Sequence, residues 1–125
     1  MLTATLNGAN LHYMDEGPRD APALVFANSL GTDLRVWDAL IPHLPAGLRL
    51  VRYDKRGHGL SEETPGPYRI KTLADDAAAL IGHLGLNRPV FIGLSIGGLI
   101  GQSLAARHPA LLAGLVISNS AAKIG

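Results

Sequence analysis

Cysteine is absent from this sequence, which excludes disulfides and thiolate metal sites and is consistent with a reducing compartment. Charge is also scarce: Asp, Glu, Lys and Arg make up 17% of the chain, where about a quarter is usual in soluble domains. With 11 basic and 10 acidic side chains the net charge is +1. That leaves no electrostatic footprint for nucleic acid or an anionic membrane surface. A long apolar run is missing too. Residues 89–118 are strongly apolar, but Ser95, Gln102 and Arg107-His108-Pro109 break them into pieces shorter than the about 20 residues a membrane span requires. Met1 to Gly8 alternates, without the basic start and apolar core of an export signal. What is present is a 125-residue chain that is 47% apolar. This length suits one domain, and the balance suits strands covered on both faces or a piece of a domain whose polar remainder lies elsewhere.

Apolar patterning divides the chain into alternating strands and helices. The stretch up to Asp15 reads as two strands turning at Asn7-Gly8, a favoured hairpin pair. Ala23 to Ala27 is wholly apolar, as expected of a strand buried on both faces. A polar loop follows at Asn28-Ser29-Leu30-Gly31-Thr32, then an expected short helix over Arg35 to His43. Leu48 to Tyr53 reads as the next strand. A helix is expected from Thr72 to Leu84, its buried stripe formed by Ile70, Leu73, Ala74, Ala77, Ile81 and Leu84, with Thr72 and Asp75 as a capping pair and Gly85 as the stop. Pro89 to Gly93 is a strand, Ile96 to Arg107 a helix ended near Pro109, and Leu112 to Ser118 a final strand. This rhythm predicts an α/β fold, a mostly parallel sheet with helices on both faces.

One turn carries the chemistry. Gly93-Leu94-Ser95-Ile96-Gly97 matches Gly-x-Ser-x-Gly where a strand passes directly into a helix. A serine on so sharp a turn takes a strained conformation and is lifted above the sheet. Small residues two before and two after it are needed because neighbouring backbone comes into contact. Ser95 is therefore the candidate nucleophile, and the helix start favours an oxyanion beside it. The backbone N–H groups of Ile96 and Leu30 are the candidate oxyanion donors, the second from the loop after the third strand. Gly-x-Gly-x-x-Gly and a phosphate-binding Gly-Lys-Ser/Thr are both lacking, which speaks against a nucleotide site. The run Asp54-Lys55-Arg56-Gly57-His58-Gly59-Leu60-Ser61 reads as a structural loop, its glycines for tight turning and its charges for mutual pairing.

These segments resemble the N-terminal half of an α/β-hydrolase, through Gly93-Leu94-Ser95-Ile96-Gly97-Gly98 and the 54–61 run. A narrower resemblance, to the 3-oxoadipate enol-lactonases, rests on Asn28-Ser29-Leu30-Gly31-Thr32-Asp33 and on Asn119 to Gly125. It implies a cofactor-free cytoplasmic hydrolase that opens an enol-lactone in bacterial aromatic catabolism, with no metal. Residues 1–125 are then expected to be the N-terminal part of a single domain, ending after its sixth strand. A substrate bearing a free carboxylate would make Arg35, with Asn28 and Ser29, candidate substrate-binding residues.

Such hydrolases place the acid and histidine of their triad after the serine. After Ser95 this chain has no Asp or Glu, and its one histidine there is His108. At 1.5 Å per residue, a helix puts His108 roughly 18–20 Å from Ser95, so it reads as a helix-end residue and not a base. A second chain or a further C-terminal segment would have to supply Asp and His. The chain alone is expected to be inactive. Alternatives on the same fold are a general carboxylesterase, an acyltransferase, a haloperoxidase, or a non-catalytic binding or scaffold module.

Overall fold

A computed structural model describes residues 2–29, 32–61 and 68–118. Six strands run over Leu2–Leu6 (β1), Ala9–Glu16 (β2), Ala23–Ala27 (β3), Arg49–Tyr53 (β4), Val90–Leu94 (β5) and Gly114–Ser118 (β6). Helices cover Ile70–His83 (α1) and Ile96–Arg107 (α2). Asn7 and Gly8 take φ of 50° and 82°, which closes the first hairpin and sets Leu6 opposite Ala9. The strands form one sheet in the order β1-β2-β4-β3-β5-β6. β1 and β2 are antiparallel, as are β2 and β4; from β4 through β3 and β5 to β6 every pairing is parallel. Parallel neighbours need crossovers: α1 lies between β4 and β5, α2 between β5 and β6, and a segment without an α-helix between β3 and β4.

The alternation of strand side chains divides the core. Val25, Ala27, Val51, Tyr53 and Phe91 pack with Leu73, Ala77, Leu80 and Ile81 of α1 and with Ile100 and Leu104 of α2. Phe26 faces the other way and meets Trp37, ring centres 5.0 Å apart. Hence the two α-helices share one face, and the segment after β3 covers part of the other.

That segment departs from expectation. The helix predicted over Arg35 to His43 is two 3-10 turns, Leu34–Trp37 and Ile41–His43. Pro42 has no N–H for a continuous helical ladder, and the Asp33 side chain caps Arg35 N at once, which favours the tighter turn. α1 also begins earlier than the Thr72–Asp75 pair suggested. Its cap is Arg69, with no side-chain capping bond, and Asp76 is buried on the inward stripe with Leu80. An ion pair described below holds Asp76 there. The helix ends as expected, with Gly85 at φ 63° and Leu86 N returning to the Ile81 carbonyl at 3.1 Å. β6 borders the sheet, with Val116 50% and Ile117 39% exposed. Among the described residues no helix is long and apolar enough to cross a membrane.

Candidate active site

Ser95 stands between β5 and α2 with φ 57° and ψ −118°, a conformation costly for a residue with a β-carbon. Two close approaches enforce it. A β-carbon on Gly93 would lie 2.2 Å from the Gly97 carbonyl oxygen, and one on Gly97 would lie 2.2 Å from the Ala27 carbonyl oxygen. No other residue fits at either position. Gly101 meets Leu115 and Phe91 side chains, so α2 lies directly on the sheet. Ser95 N donates to the Ser118 carbonyl at 2.9 Å and Gly98 N to the Ser95 carbonyl at 2.8 Å, tying the turn to β6 and to the helix start. Ile96 is the first residue of α2. Amides at that end of a helix lack intrahelical partners and point outward, as an oxyanion donor must.

The contact between Gly97 and Ala27 also brings the loop after β3 alongside the serine turn. Leu30, the second expected donor, lies outside the described residues, as does Gly31. Their neighbours are closely tied. Asn28 is fully buried, and its Nδ2 donates to the Thr32 carbonyl at 2.8 Å and to Thr32 Oγ1 at 3.0 Å. Thr32 Oγ1 donates to the Ser29 carbonyl at 2.7 Å, and the Ser29 and Thr32 hydroxyl oxygens are 3.2 Å apart. Asn28, expected at the substrate, thus spends its amide nitrogen on folding the loop. Arg35 is exposed, and it forms a fork with Asp33 through Nε at 3.0 and 3.1 Å and Nη2 at 2.7 Å. Arg35 holds the Asp33 carboxyl below its ordinary range, first by the side-chain hydrogen bond. With His12, Leu34, Asp54 and Leu60, both border a cavity of about 310 Å³.

The 54–61 loop is structural as expected, but its charges do not pair with one another. Asp54 accepts from His12 Nδ1 at 2.7 Å, from Leu34 N at 2.8 Å and from Leu60 N at 3.0 Å. Arg56 reaches α1, donating to Asp76 at 2.8 and 3.0 Å, and also to the Asn7 carbonyl at 2.7 Å. Lys55 turns beneath the loop after β3. Burial explains the difference: a charge inside the protein needs dedicated partners, and each of these finds them on a different element. His58 Nδ1 lies 3.1 Å from the Arg56 carbonyl, which ties its ring to the loop's own backbone. His108 caps α2, its Nε2 3.9 Å from Asp75 of α1. The His12–Asp54 pair and the Lys55 contacts carried no motif that sequence reading could have caught.

Sheet order, serine turn and flanking glycines together define a hydrolase fold. Residues 22–124 match the family described as alpha/beta hydrolase fold, and the chain belongs to that family. It is 43% identical over 123 residues to 3-oxoadipate enol-lactonase 2 of Acinetobacter baylyi, covering 98% of this chain and 46% of that protein. The crystal structure of the enol-lactonase from Burkholderia xenovorans LB400 superposes with a TM-score of 0.94 at 45% identity, covering 99% of this chain and 48% of that one. A bifunctional esterase/perhydrolase of Acinetobacter calcoaceticus is 37% identical over 106 residues, 84% of this chain and 38% of that protein. The chain therefore spans somewhat less than half the length of these relatives.

Proposed function

We propose that this chain is the nucleophile-bearing half of a serine hydrolase acting on a carboxylic ester or lactone, with 3-oxoadipate enol-lactone as substrate. The observation that carries the reading is Ser95 at φ 57° between a parallel strand and a helix, with Gly93 and Gly97 in enforced contact. Ser95 Oγ attacks the lactone carbonyl, losing its proton to a histidine from outside this chain. The Ile96 and Leu30 amides take the oxyanion. Collapse breaks the ring ester bond and leaves an acyl-enzyme whose enol, still attached, becomes the ketone. Water activated by the same histidine then releases the dicarboxylate and restores Ser95. No metal or cofactor enters these steps.

The acid and histidine belong, in this reading, to the part of the single hydrolase domain beyond the sixth strand, or to a second chain that supplies it. The cytoplasm and bacterial aromatic catabolism are the setting that the resemblance to the enol-lactonases implies. The esterase relative favours a broader carboxylesterase as the second reading. Hydrolysis assays on the polypeptide that includes the acid and histidine decide between them. The enol-lactone should be turned over far faster than simple esters, and Ser95→Ala should lose nearly all of it. Equal rates on simple esters would favour the esterase, and full activity in Ser95→Ala would remove the serine mechanism.

A further inference from the structure

Arg88 stands at φ 48° in the loop between α1 and β5. Among the described residues, Asn7 and Ser95 are the others with a β-carbon at positive φ. Asn7 closes a hairpin and Ser95 is the candidate nucleophile, so each has an evident use. Glycine or asparagine would take the Arg88 conformation at less cost, and an exposed arginine there needs a reason. The surroundings supply one. A cavity of about 510 Å³ opens where β3, β4 and β5 begin, bordered by Arg19, Arg49 and Arg88, with Leu24 and Val90 as an apolar wall. Ser95 follows the far end of β5, whose length is roughly 15 Å at about 3.3 Å per residue. The cavity is therefore separate from the serine turn.

Positive charge is in excess around it. Arg49 is buried, and its guanidinium is fully used by Asp15 and by the Arg19 and Leu84 carbonyls. Asp15 also accepts from Arg19 Nη1, so one buried carboxylate serves two guanidiniums. The Arg19 side chain is 65% exposed and has nitrogens to spare. Arg88 makes no ion pair among the described residues and donates to the Leu112 carbonyl at 3.3 Å. Asp20, also at the cavity, is the opposing charge. The two exposed guanidiniums are anchored at opposite ends. Arg19 is held beside β4 through Asp15 and Arg49, and Arg88 beside the start of β6 through Leu112. β3 and β5 lie between, so strands about 4.8 Å apart put the anchors roughly 14 Å from each other. A hydrogen bond at each end takes up about 3 Å and leaves roughly 8 Å between two anionic groups.

We propose that this cavity binds a small dicarboxylate, one carboxylate on Arg19 and the other on Arg88, with its carbon chain along Leu24 and Val90. Guanidinium forks match carboxylates in shape and charge. An apolar wall between two polar ends suits a methylene chain and gives a compact ion such as phosphate nothing to rest on. Asp20 works against any anion, and both arginines remain in contact with water, so the expected affinity is weak, with Kd of about 1 mM. The proposal stands apart from the serine-hydrolase reading and does not require it.

The test is an NMR titration of the polypeptide that includes the acid and histidine, with adipate, succinate, butyrate and inorganic phosphate as probes. Adipate should move amides within residues 19–24 and 86–90 and saturate, more tightly than succinate. Butyrate and phosphate, each able to reach one arginine, should bind about tenfold more weakly. Arg88→Gly removes the guanidinium and relieves the backbone, so the fold is kept while adipate weakens about tenfold. Arg19→Gln should weaken it similarly, and Asp20→Asn should tighten it. Ser95→Ala should leave it unchanged, whatever becomes of hydrolysis. No saturation by about 50 mM adipate would overturn the proposal. So would unchanged binding in Arg88→Gly, phosphate as tight as adipate, or shifts confined to residues 93–98.

Discussion

Arg56 and Asp76 meet through two parallel hydrogen bonds, Nη2 to Oδ1 at 2.8 Å and Nε to Oδ2 at 3.0 Å, with the carboxylate side chain 1% exposed. Asn7 Nδ2 donates to the same Asp76 at 2.9 Å, so one carboxylate joins the first hairpin, the 54–61 loop and α1. Removing one partner of a buried pair strands the other, at a cost of about 3–5 kcal/mol. Asp76→Asn should lower stability by that order in urea unfolding. The double variant Asp76→Asn with Arg56→Met should lose less than the sum of the single ones, a coupling that independent sites would not show.

Gly97 is expected to tolerate nothing larger. Alanine there would set a β-carbon 2.2 Å from the Ala27 backbone oxygen, which cannot yield without moving β3. Gly97→Ala should cost about 3 kcal/mol or more. Gly101→Ala should cost less, because its first contact is the end of the flexible Leu115 side chain. Equal losses in thermal unfolding would mean that the approach of α2 to β3 is looser than described.

Asp15 makes stability depend on acid. Hydrogen bonds from Arg49, Nε at 2.9 Å and Nη2 at 2.7 Å, are the largest influence holding its carboxyl below 3.8. The folded protein thus binds this proton less readily than the unfolded chain. Its stabilisation is complete above the ordinary carboxylate range and disappears as pH falls through the lowered value. Urea midpoints should therefore drop as pH falls below about 4, with a shallower drop in Asp15→Asn. Identical slopes would assign the acid response to other carboxylates.

Arg35 should matter for binding and hardly for stability. Its fork with Asp33 is solvent-exposed, and water and salt screen such a pair so that it adds little to stability. If it steers a substrate carboxylate, Arg35→Ala in the whole enzyme should raise KM for the carboxylated lactone and spare a neutral ester. Equal effects on both would reject that role.

If the acid and histidine lie outside residues 1–125, as proposed above, these residues alone should turn over esters several orders of magnitude more slowly than the polypeptide that carries all three groups. They should also self-associate, since border strand β6 exposes Val116 and Ile117 without a protecting charge or proline. Sedimentation and a Ser95→Ala control check both. A monomer with strong Ser95-dependent turnover would place a base inside this chain.

Much was legible in the sequence because it is written in local rules. Asn7-Gly8 favours positive φ, Ala23 to Ala27 has no polar side to show water, and Gly93 to Gly97 supplies small residues where an apolar strand runs straight into a helix. The bounds of α2 followed from the same logic, ending before Pro109. Tertiary structure decided the rest. The 3-10 turns after β3 arise where Pro42 interrupts the backbone ladder and Trp37 packs on Phe26 across the sheet. Asp76, next to the expected capping pair, is a buried link, because Arg56 arrives from 20 residues away. The loop Asp54-Lys55-Arg56 reads as a cluster that pairs with itself, yet each charge leaves for a different element. Sequence spacing determines which residues share a strand or a helix face. Which carbonyl a buried ammonium finds depends on chain segments brought together only by folding, and no local pattern encodes that meeting.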